Sequence, residues 1–292
     1  MVRMKKANNG KSRVNIINTA LLSLMSLTML IPLISVTSKS FSSGLAVDTN
    51  KVFLWPVDFN FESWYFILSR SDVWNSFNIS FFTTVSGTLG CLVLTTLLAF
   101  PLSKQEFKPA KIILIIIVVT MVFKAPVVPY FLTVKGLGLY NSVLVLIIPH
   151  LINAYNLIIM RSFFKQFPLE LEEAAKIEGC GYFRILFNIV IPTSKPVMAT
   201  VGLFYAVNLW NQFNHPLMFI QNPDLYPLQL KLRQYATPTG ESFVSTLTTE
   251  VLYNENTLKS TIVIFAIIPM LLLYPYLQKY FVKGAMLGSV KG

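Results

Sequence analysis

Charged side chains are scarce in this sequence. Only 13% of its 292 residues are Asp, Glu, Lys or Arg, whereas a soluble domain of this length usually carries about a quarter. Hydrophobic residues make up 54% of the chain, and they cluster into runs that approach the roughly 20 residues needed to cross a hydrocarbon core. The composition excludes an ordinary soluble domain and predicts an all-α integral membrane protein with several transmembrane helices.

Cysteine and histidine are almost absent, with two residues of each type. Cys91 lies in an apolar run and Cys180 in a polar one, so we expect two free thiols with a structural role. His150 and His215 are far apart in the sequence, each beside a proline. Nothing resembles a nucleophile–histidine–acid set or a cluster of metal ligands. We therefore expect no catalytic residue and no metal ion in this chain.

Acidic residues are missing from the apolar runs. None of the 13 Asp and Glu residues falls clearly inside a predicted span, whereas an ion-coupled secondary transporter predicts internal repeats and paired intramembrane carboxylates. That class of transporter is the alternative interpretation, and the missing carboxylates count against it. A membrane-embedded enzyme would need a catalytic cluster that the sequence does not contain.

Six apolar runs divide the chain. The first, residues 14–36, follows a basic tail of residues 1–13. A cleaved signal peptide is the alternative, but the run is longer than a typical signal-peptide core and no clear cleavage site follows it. A polar loop at 37–75 contains Trp and Tyr residues, which favour the membrane–water boundary. The other spans are predicted at 76–100, 112–131, 143–160, 197–213 and 258–277. The core thus covers residues 76–282, with a polar loop at 215–257, and precedes a tail at 283–292.

Basic residues are distributed unevenly between the two sides of the membrane. Of the 24 Lys and Arg residues, 16 fall on the side of the termini and 8 on the other side. Because cytoplasmic loops carry the excess of Lys and Arg, both termini are predicted to be cytoplasmic. The bias also explains much of the net charge of +11, and no nucleic-acid-binding spacing is visible. No nucleic acid partner is expected.

A charged segment at 168–192 follows the fourth span. Pro168 suits the first position of a helix, and Glu170 and Glu172 lie near the positive end of its dipole. Small residues follow, and Gly179 is suited to end the helix. A short helix with a small-residue surface at the membrane face is well suited to dock into a groove on a partner. An ordinary amphipathic helix is the alternative.

The same segment resembles the EAA loop of binding-protein-dependent ABC importer permeases. The matching positions, in the spacing of the motif, are Glu173, Ala174, Ala175, Gly179, Ile189, Ile191 and Pro192. Ile191 replaces the usual Leu, and Glu178 stands where carbohydrate permeases often carry Asp. Further residues resemble the carbohydrate-uptake branch, which includes maltose-type and larger-oligosaccharide permeases; among them are Pro126 to Tyr130, Trp210 to Phe213 and Tyr226 to Leu230.

The resemblance implies a type I ABC importer permease fold with six spans and a cytoplasmic coupling helix. It implies a second homologous permease, although a homodimer is possible, as well as a pair of ATPase subunits and an extracytoplasmic solute-binding protein. The sugar, ATP and Mg²⁺ follow from the same resemblance, the last two bound by the ATPase subunits. Gly10, Lys11 and Ser12 resemble the end of a P-loop, but Lys5 stands where its first glycine is needed. The location implied is a bacterial or archaeal plasma membrane.

The resemblance also implies that Ala174, Ala175 and Gly179 contact the ATPase subunit closely. It implies that Glu173 contacts polar or basic groups of that subunit. Polar residues in or beside the spans are of types that suit a sugar path, and interhelical hydrogen bonding explains them about equally well. These candidates are Asn153, Tyr155, Asn156, Tyr205, Asn208, Trp210, Asn211 and Lys124. Lys124 is also explained by snorkelling toward the headgroups. Lys231, Arg233 and Tyr235 are candidates for contact with the binding protein or an acidic sugar.

Overall fold

Helices are the only regular elements in residues 4–123, 125–236 and 254–289, the residues that the computed structural model of this protein describes. In chain order the α-helices are α1 (Met4–Ser40), α2 (Gly44–Asp48), α3 (Glu62–Leu68), α4 (Ser71–Ser103), α5 (Ala110–Val122), α6 (Val127–Gly136), α7 (Ala154–Lys165), α8 (Leu169–Ile177), α9 (Tyr182–Ile185), α10 (Ile191–Thr193), α11 (Lys195–Trp210), α12 (Asn214–Phe219), α13 (Leu228–Ala236) and α14 (Glu255–Ser289). Short 3-10 turns span Val143–Leu146, Ile148–His150 and Pro223–Leu225, and a π-helical turn spans Leu186–Val190.

Three helical segments are long and apolar enough to cross a membrane unaided, namely Asn15–Ser40 in α1, the whole of α4, and Glu255–Leu273 in α14. Three bent pairs meet the same criterion together. These are α5 with α6, Val143–His150 with α7 (bent by 46°), and Tyr182–Thr193 with α11 (bent by 84°). The described residues therefore contain three such helices, or up to six spans if each bent pair is counted as one.

The fourth predicted span, 143–160, is not one continuous helix. Its first half forms the 3-10 turns, and α7 starts only at Ala154. Pro149 lacks a backbone N–H and so cannot continue a helical hydrogen-bond ladder. The Oδ1 atom of Asn153 accepts a hydrogen bond from the backbone N–H of Asn156 (3.1 Å) and caps the new helix. The run at 112–131 is likewise interrupted, between α5 and α6, where extended Pro126 caps α6.

The predicted polar loops contain helices of their own. Residues 37–75 include the last turn of α1, the short helices α2 and α3, and the start of α4. The loop at 215–257 includes most of α12, the turn Pro223–Leu225 and α13. Residues 237–253 of this loop lie outside the described part of the chain.

Contacts divide the chain into two compact units, Met1–Arg70 with Gln234–Ile267 and Ser71–Arg233 with Ile268–Gly292. In the first unit, the side chains of Asn254 and Asn256 donate hydrogen bonds to the carboxylate of Asp48. An aromatic cluster includes Trp64 of α3. The ring of Phe41 stacks on the rings of Phe59 and Trp64, with centroids 5.6 and 5.4 Å apart.

The second unit has its core between α4, α7 and α11. The buried face of α4 consists largely of small side chains, among them Ser80, Thr84, Gly87 and Thr95. Small residues let transmembrane helices approach closely. A Cβ atom at Gly87 would lie only 2.8 Å from a methyl carbon of Leu209 on α11. The close contact of these two helices positions the polar residues described below.

Candidate functional site

Helix α8 carries the EAA-like segment, and its ends are defined by local chemistry. Extended Pro168 precedes it, and Glu170 and Glu172 lie in its first turn, next to the positive end of the helix dipole. At the other end Gly179 has φ = +81°, a backbone conformation that L side chains rarely adopt. The N–H groups of Gly179 and Cys180 donate to the carbonyls of Lys176 (3.0 Å) and Ala175 (2.9 Å). This is the Schellman pattern that ends a helix.

The two faces of α8 differ. Glu172 and Ala175 are buried, and Ala175 packs in the core of this chain. Ala175 is therefore a contact within the chain, and its side chain does not belong to the exposed face. The opposite face, which we call the outward face, is exposed and consists of Glu170, Glu173, Ala174 and Ile177. Ile177 is 88% exposed, which is unusual for a large apolar side chain at a helix end.

The buried face of α8, which contains Glu172 and Ala175 and which we call the inward face, is held by an ion-pair cluster. The sequence analysis did not predict this cluster. The ammonium group of Lys104, which follows α4, pairs with the carboxylate of Glu172. Lys176 pairs with Glu172 at 3.4 Å and with Glu106 at 3.2 Å. The hydroxyl of Tyr182 donates to Glu106 at 2.6 Å. This hydrogen bond and the charge of Lys176 lower the pKa of Glu106 below its ordinary value. The loop after α4 is thereby attached to the candidate coupling segment.

Three other residues of the motif, Ile189, Ile191 and Pro192, lie beyond α8 and Gly179. Ile189 is half-buried within the π-helical turn and packs against the core, whereas Pro192 is exposed in α10. Pro192 cannot donate a backbone hydrogen bond, which favours an irregular ladder at this point. The chain then bends by 84° into α11.

Five of the eight predicted path residues line one pocket of about 500 Å³ in the second unit, which we call the path pocket. They are Asn153, Tyr155, Asn156, Tyr205 and Asn208, joined by Pro149, His150, Ile152 and Phe204. Its lining contains amides, hydroxyls and aromatic rings and no carboxylate. These groups can hydrogen-bond a sugar and stack against its ring.

Within the pocket the two tyrosines have different environments. The hydroxyl of Tyr205, which is 3% exposed, hydrogen-bonds Thr95 at 2.7 Å and accepts the backbone N–H of Asn153 at 3.1 Å. Tyr155 is 56% exposed, and its ring lies 6.3 Å from that of Phe204. Tyr205 thus connects helices, while Tyr155 is accessible at the pocket surface.

Trp210 and Asn211 do not line this pocket. The ring of Trp210 is buried edge-on against Phe77, with centroids 5.9 Å apart. The amide of Asn211 donates to the carbonyl of Val207 at 2.9 Å. Lys124 lies outside the described residues.

The two histidines, although far apart in the sequence, are in contact. Their ring centroids are 4.8 Å apart in an edge-to-face arrangement, and Nε2 of His215 lies 2.8 Å from the hydroxyl of Tyr130. Burial, together with the neighbouring His150, lowers the pKa of His215 to about 4, so it is neutral at pH 7. Among the described residues no group of three or more His, Cys, Asp or Glu side chains is placed to hold a metal ion. The spacing of the two histidines in the sequence gives no indication that His150 and His215 are in contact.

The three candidate binding-protein contacts all lie on α13 and have partners within the chain. Lys231 pairs with Asp72 at 3.0 Å. The guanidinium of Arg233 lies 4.4 Å from the ring centre of Phe213. Tyr235 is buried against Phe66, with ring centroids 6.3 Å apart. Arg233 is the exposed member of the three.

Comparisons with known proteins relate this chain to components of membrane transport systems. The family described as "Binding-protein-dependent transport system inner membrane component" matches residues 10–286. The polygalacturonan/rhamnogalacturonan transport system permease protein YtcP of Bacillus subtilis (strain 168) is 38% identical over 92% of this chain and 95% of its own length. Protein LplC of the same organism is 37% identical over 90% of each chain.

A solved structure shows the same fold. A chain in the crystal structure of a bacterial ABC transporter involved in the import of the acidic polysaccharide alginate is 33% identical and matches with a TM-score of 0.85, over 93% of this chain and 98% of that chain. The helical architecture is that of a type I ABC importer permease. This chain therefore belongs to the family of binding-protein-dependent transport system inner membrane components.

Proposed function

We propose that this chain is the permease subunit of an ATP-driven sugar importer, with both termini in the cytoplasm. It would form the translocation path with a second, homologous permease. Two ATPase subunits would bind at the cytoplasmic face and an extracytoplasmic solute-binding protein at the other. ATP and Mg²⁺ would be bound by the ATPase subunits, and this chain would contribute no catalytic residue.

One observation carries the coupling part of the proposal, namely the outward face of α8. Its exposed side chains combine two carboxylates, a small residue and a fully projecting isoleucine. A short helix with such a face fits a groove on a partner, because Ala174 allows close approach and Ile177 supplies apolar area. The relative YtcP, which is named as a permease of a transport system, supports the assignment of this chain as a permease.

The transport cycle follows as alternating access. Closure of the ATPase subunits on ATP brings the coupling helices of the two permeases together and opens the bundle outward. The binding protein then releases sugar into the path, and hydrolysis restores the inward-facing state. Each of these states must be favoured by a differential interaction, which here is the engagement of α8 by the ATPase.

The substrate proposed is an oligosaccharide, and an acidic one ahead of a neutral one. The names of YtcP and of the alginate transporter refer to acidic polysaccharides. The 500 Å³ pocket agrees with this choice, because no carboxylate among its lining residues would repel an anionic sugar. Its amides and hydroxyls provide hydrogen bonds to sugar hydroxyls.

ATPase activity of the whole complex in lipid tests the coupling. Wild type, Ala174→Ser and Ala174→Arg are compared with and without sugar-loaded binding protein. Ser keeps the outward face small, so stimulation is expected to persist. Arg blocks close approach without disturbing this chain, because position 174 is exposed, and stimulation is expected to be lost. Full stimulation in the Arg variant would place the coupling contact elsewhere.

Uptake into vesicles tests the substrate. Short galacturonate oligomers are compared with neutral glucose oligomers of the same length, each with its loaded binding protein. Preferential ATP-dependent uptake of the acidic oligomers is expected. Transport by this chain alone, without ATP, would instead favour the ion-coupled alternative.

A further inference from the structure

The covalent connection from α8 to the membrane helices is poorly suited to transmit a displacement. After α8 the chain passes Gly179 and Gly181, the π-helical turn, and Pro192 before it bends by 84° into α11. Glycine adds backbone freedom, and proline and π-helical turns interrupt the regular hydrogen-bond ladder. A push on α8 along this route would be absorbed in part by several deformable points.

A second connection runs through side chains and is shorter. Glu172, on the inward face of α8, pairs with Lys104, the residue that follows α4. The side chain of Glu172 is only 4% exposed and that of Lys104 14%, so water screens this pair little. The ammonium of Lys104 also lies 4.6 Å from the ring centre of Phe100, in the last turns of α4.

The same end of α4 is fixed to the rest of the core. The Nε atom of Arg161 on α7 donates a hydrogen bond to the carbonyl of Leu102 at 3.0 Å. Helix α4 makes its most extensive contacts with α11 and α7. Helix α11 carries Tyr205, which lines the path pocket and hydrogen-bonds Thr95 of α4. A displacement delivered to the end of α4 therefore reaches the pocket through packed helices.

We infer that Lys104 and Glu172 are positioning residues that transmit the movement of α8 to α4, so that the coupling signal enters the membrane through α4 as well as through α11. The inference rests on the proposed function, since it assumes that α8 is moved by the ATPase. A rigid link of this kind explains why an ion pair is buried at this site, where a solvated loop would suffice to join two spans. Removing it leaves ATP hydrolysis possible and separates it from transport.

The test uses the complete transporter in proteoliposomes, with sugar uptake and ATP hydrolysis measured in the same vesicles. Lys104→Met and Glu172→Gln are expected to lower the ratio of sugar imported to ATP hydrolysed by about tenfold, within the usual range of coupling between sites. The conservative Lys104→Arg keeps the pair and is expected to keep the ratio. Lys259→Met is the control, since its pair with Glu255 on α14 is largely exposed and does not involve Glu172, and such pairs contribute little.

The outcomes separate three explanations. An unchanged ratio in assembled Lys104→Met and Glu172→Gln transporters overturns the inference, and so does a loss of assembled complex with the ratio intact, which is the result of a purely structural role. If the single variants fail to assemble, the double variant Lys104→Met with Glu172→Leu is measured instead, because replacing both charges leaves neither partner of the pair buried and unpaired. A lowered ratio of sugar imported to ATP hydrolysed then supports the inference, and an unchanged ratio overturns it. If Ala174→Arg is also without effect on stimulation, the coupling contact lies elsewhere, and the premise that the ATPase moves α8 is wrong.

Discussion

At the scale of single residues, Gly179 is the position where the backbone demands a particular residue type. Its φ of +81° allows the two hydrogen bonds that end α8, while a Cβ atom there would meet no neighbouring atom. The cost of a side chain is thus a backbone cost and not a steric clash with neighbours. It determines where α8 ends and where Cys180 and Gly181 turn the chain.

Gly179→Ala is expected to destabilise the end of α8 by about 1–2 kcal/mol, the cost of placing a Cβ in the left-handed region. Gly181→Ala is the matched control, because Gly181 has φ = −72° and equally open surroundings. The thermal midpoint of the purified complex is the measurement. Equal midpoints for the two variants would show that the end of α8 rearranges without strain.

The two tyrosines of the path pocket separate structural from transport roles. Tyr205→Phe removes the buried hydrogen bond to Thr95 and leaves the part-buried N–H of Asn153 without its acceptor, so a loss of stability of about 1–3 kcal/mol is expected. Tyr155→Phe removes an exposed hydroxyl and is expected to lower sugar uptake with little effect on stability. Thermal midpoint and uptake are measured for both variants. The reverse pattern would exclude Tyr155 from the path.

At the scale of elements, the packing of α4 against α11 depends on glycine. A Cβ at Gly87 would lie 2.8 Å from Leu209, and one at Gly202 would lie 3.2 Å from Leu92. The helices therefore have no room for larger side chains at these two points, and dispersion contacts between close backbones contribute to their association.

Gly87→Leu is expected to destabilise the protein by about 1–3 kcal/mol through overpacking. Leu209→Ala added to Gly87→Leu is expected to recover part of that loss, because residues in contact are not additive. Gly136→Leu on α6 is the control, since nothing lies within 4 Å of a Cβ there. Additive effects of the two changes on the denaturation midpoint would mean that residues 87 and 209 do not share space.

Sequence patterns predicted some elements well and others poorly, for physical reasons. Both ends of α8 follow from local chemistry, Pro168 and Gly179, and the types of the pocket residues follow from what a sugar needs. The break in the fourth span was missed because hydropathy is insensitive to backbone continuity, although Pro149 and Asn153 marked it. The Lys104–Glu172 pair was missed because its members are 68 positions apart, and only the tertiary fold brings them together.

At the scale of the whole molecule, the distribution of charge predicts how the chain crosses the membrane. The excess of Lys and Arg on the side of the termini predicts that α8 and its ion-pair cluster lie in the cytoplasm, where the ATPase subunits of the proposed importer would bind. It predicts that the exposed turn around Pro223–Leu225 lies on the opposite side, where a binding protein would approach. The proposed coupling and the proposed delivery of sugar both depend on this orientation.

The orientation can be tested with thiols, because the chain has only two cysteines and Cys91 is buried. In a Cys91→Ser background, the partly exposed Cys180 is compared with a new thiol from Gln221→Cys, an exposed position. A membrane-impermeant maleimide added to intact cells is expected to label position 221 and to reach Cys180 only after permeabilisation. Labelling of Cys180 from outside would invert the topology. In that case α8 would face away from ATP, and no ATPase subunit could act on it.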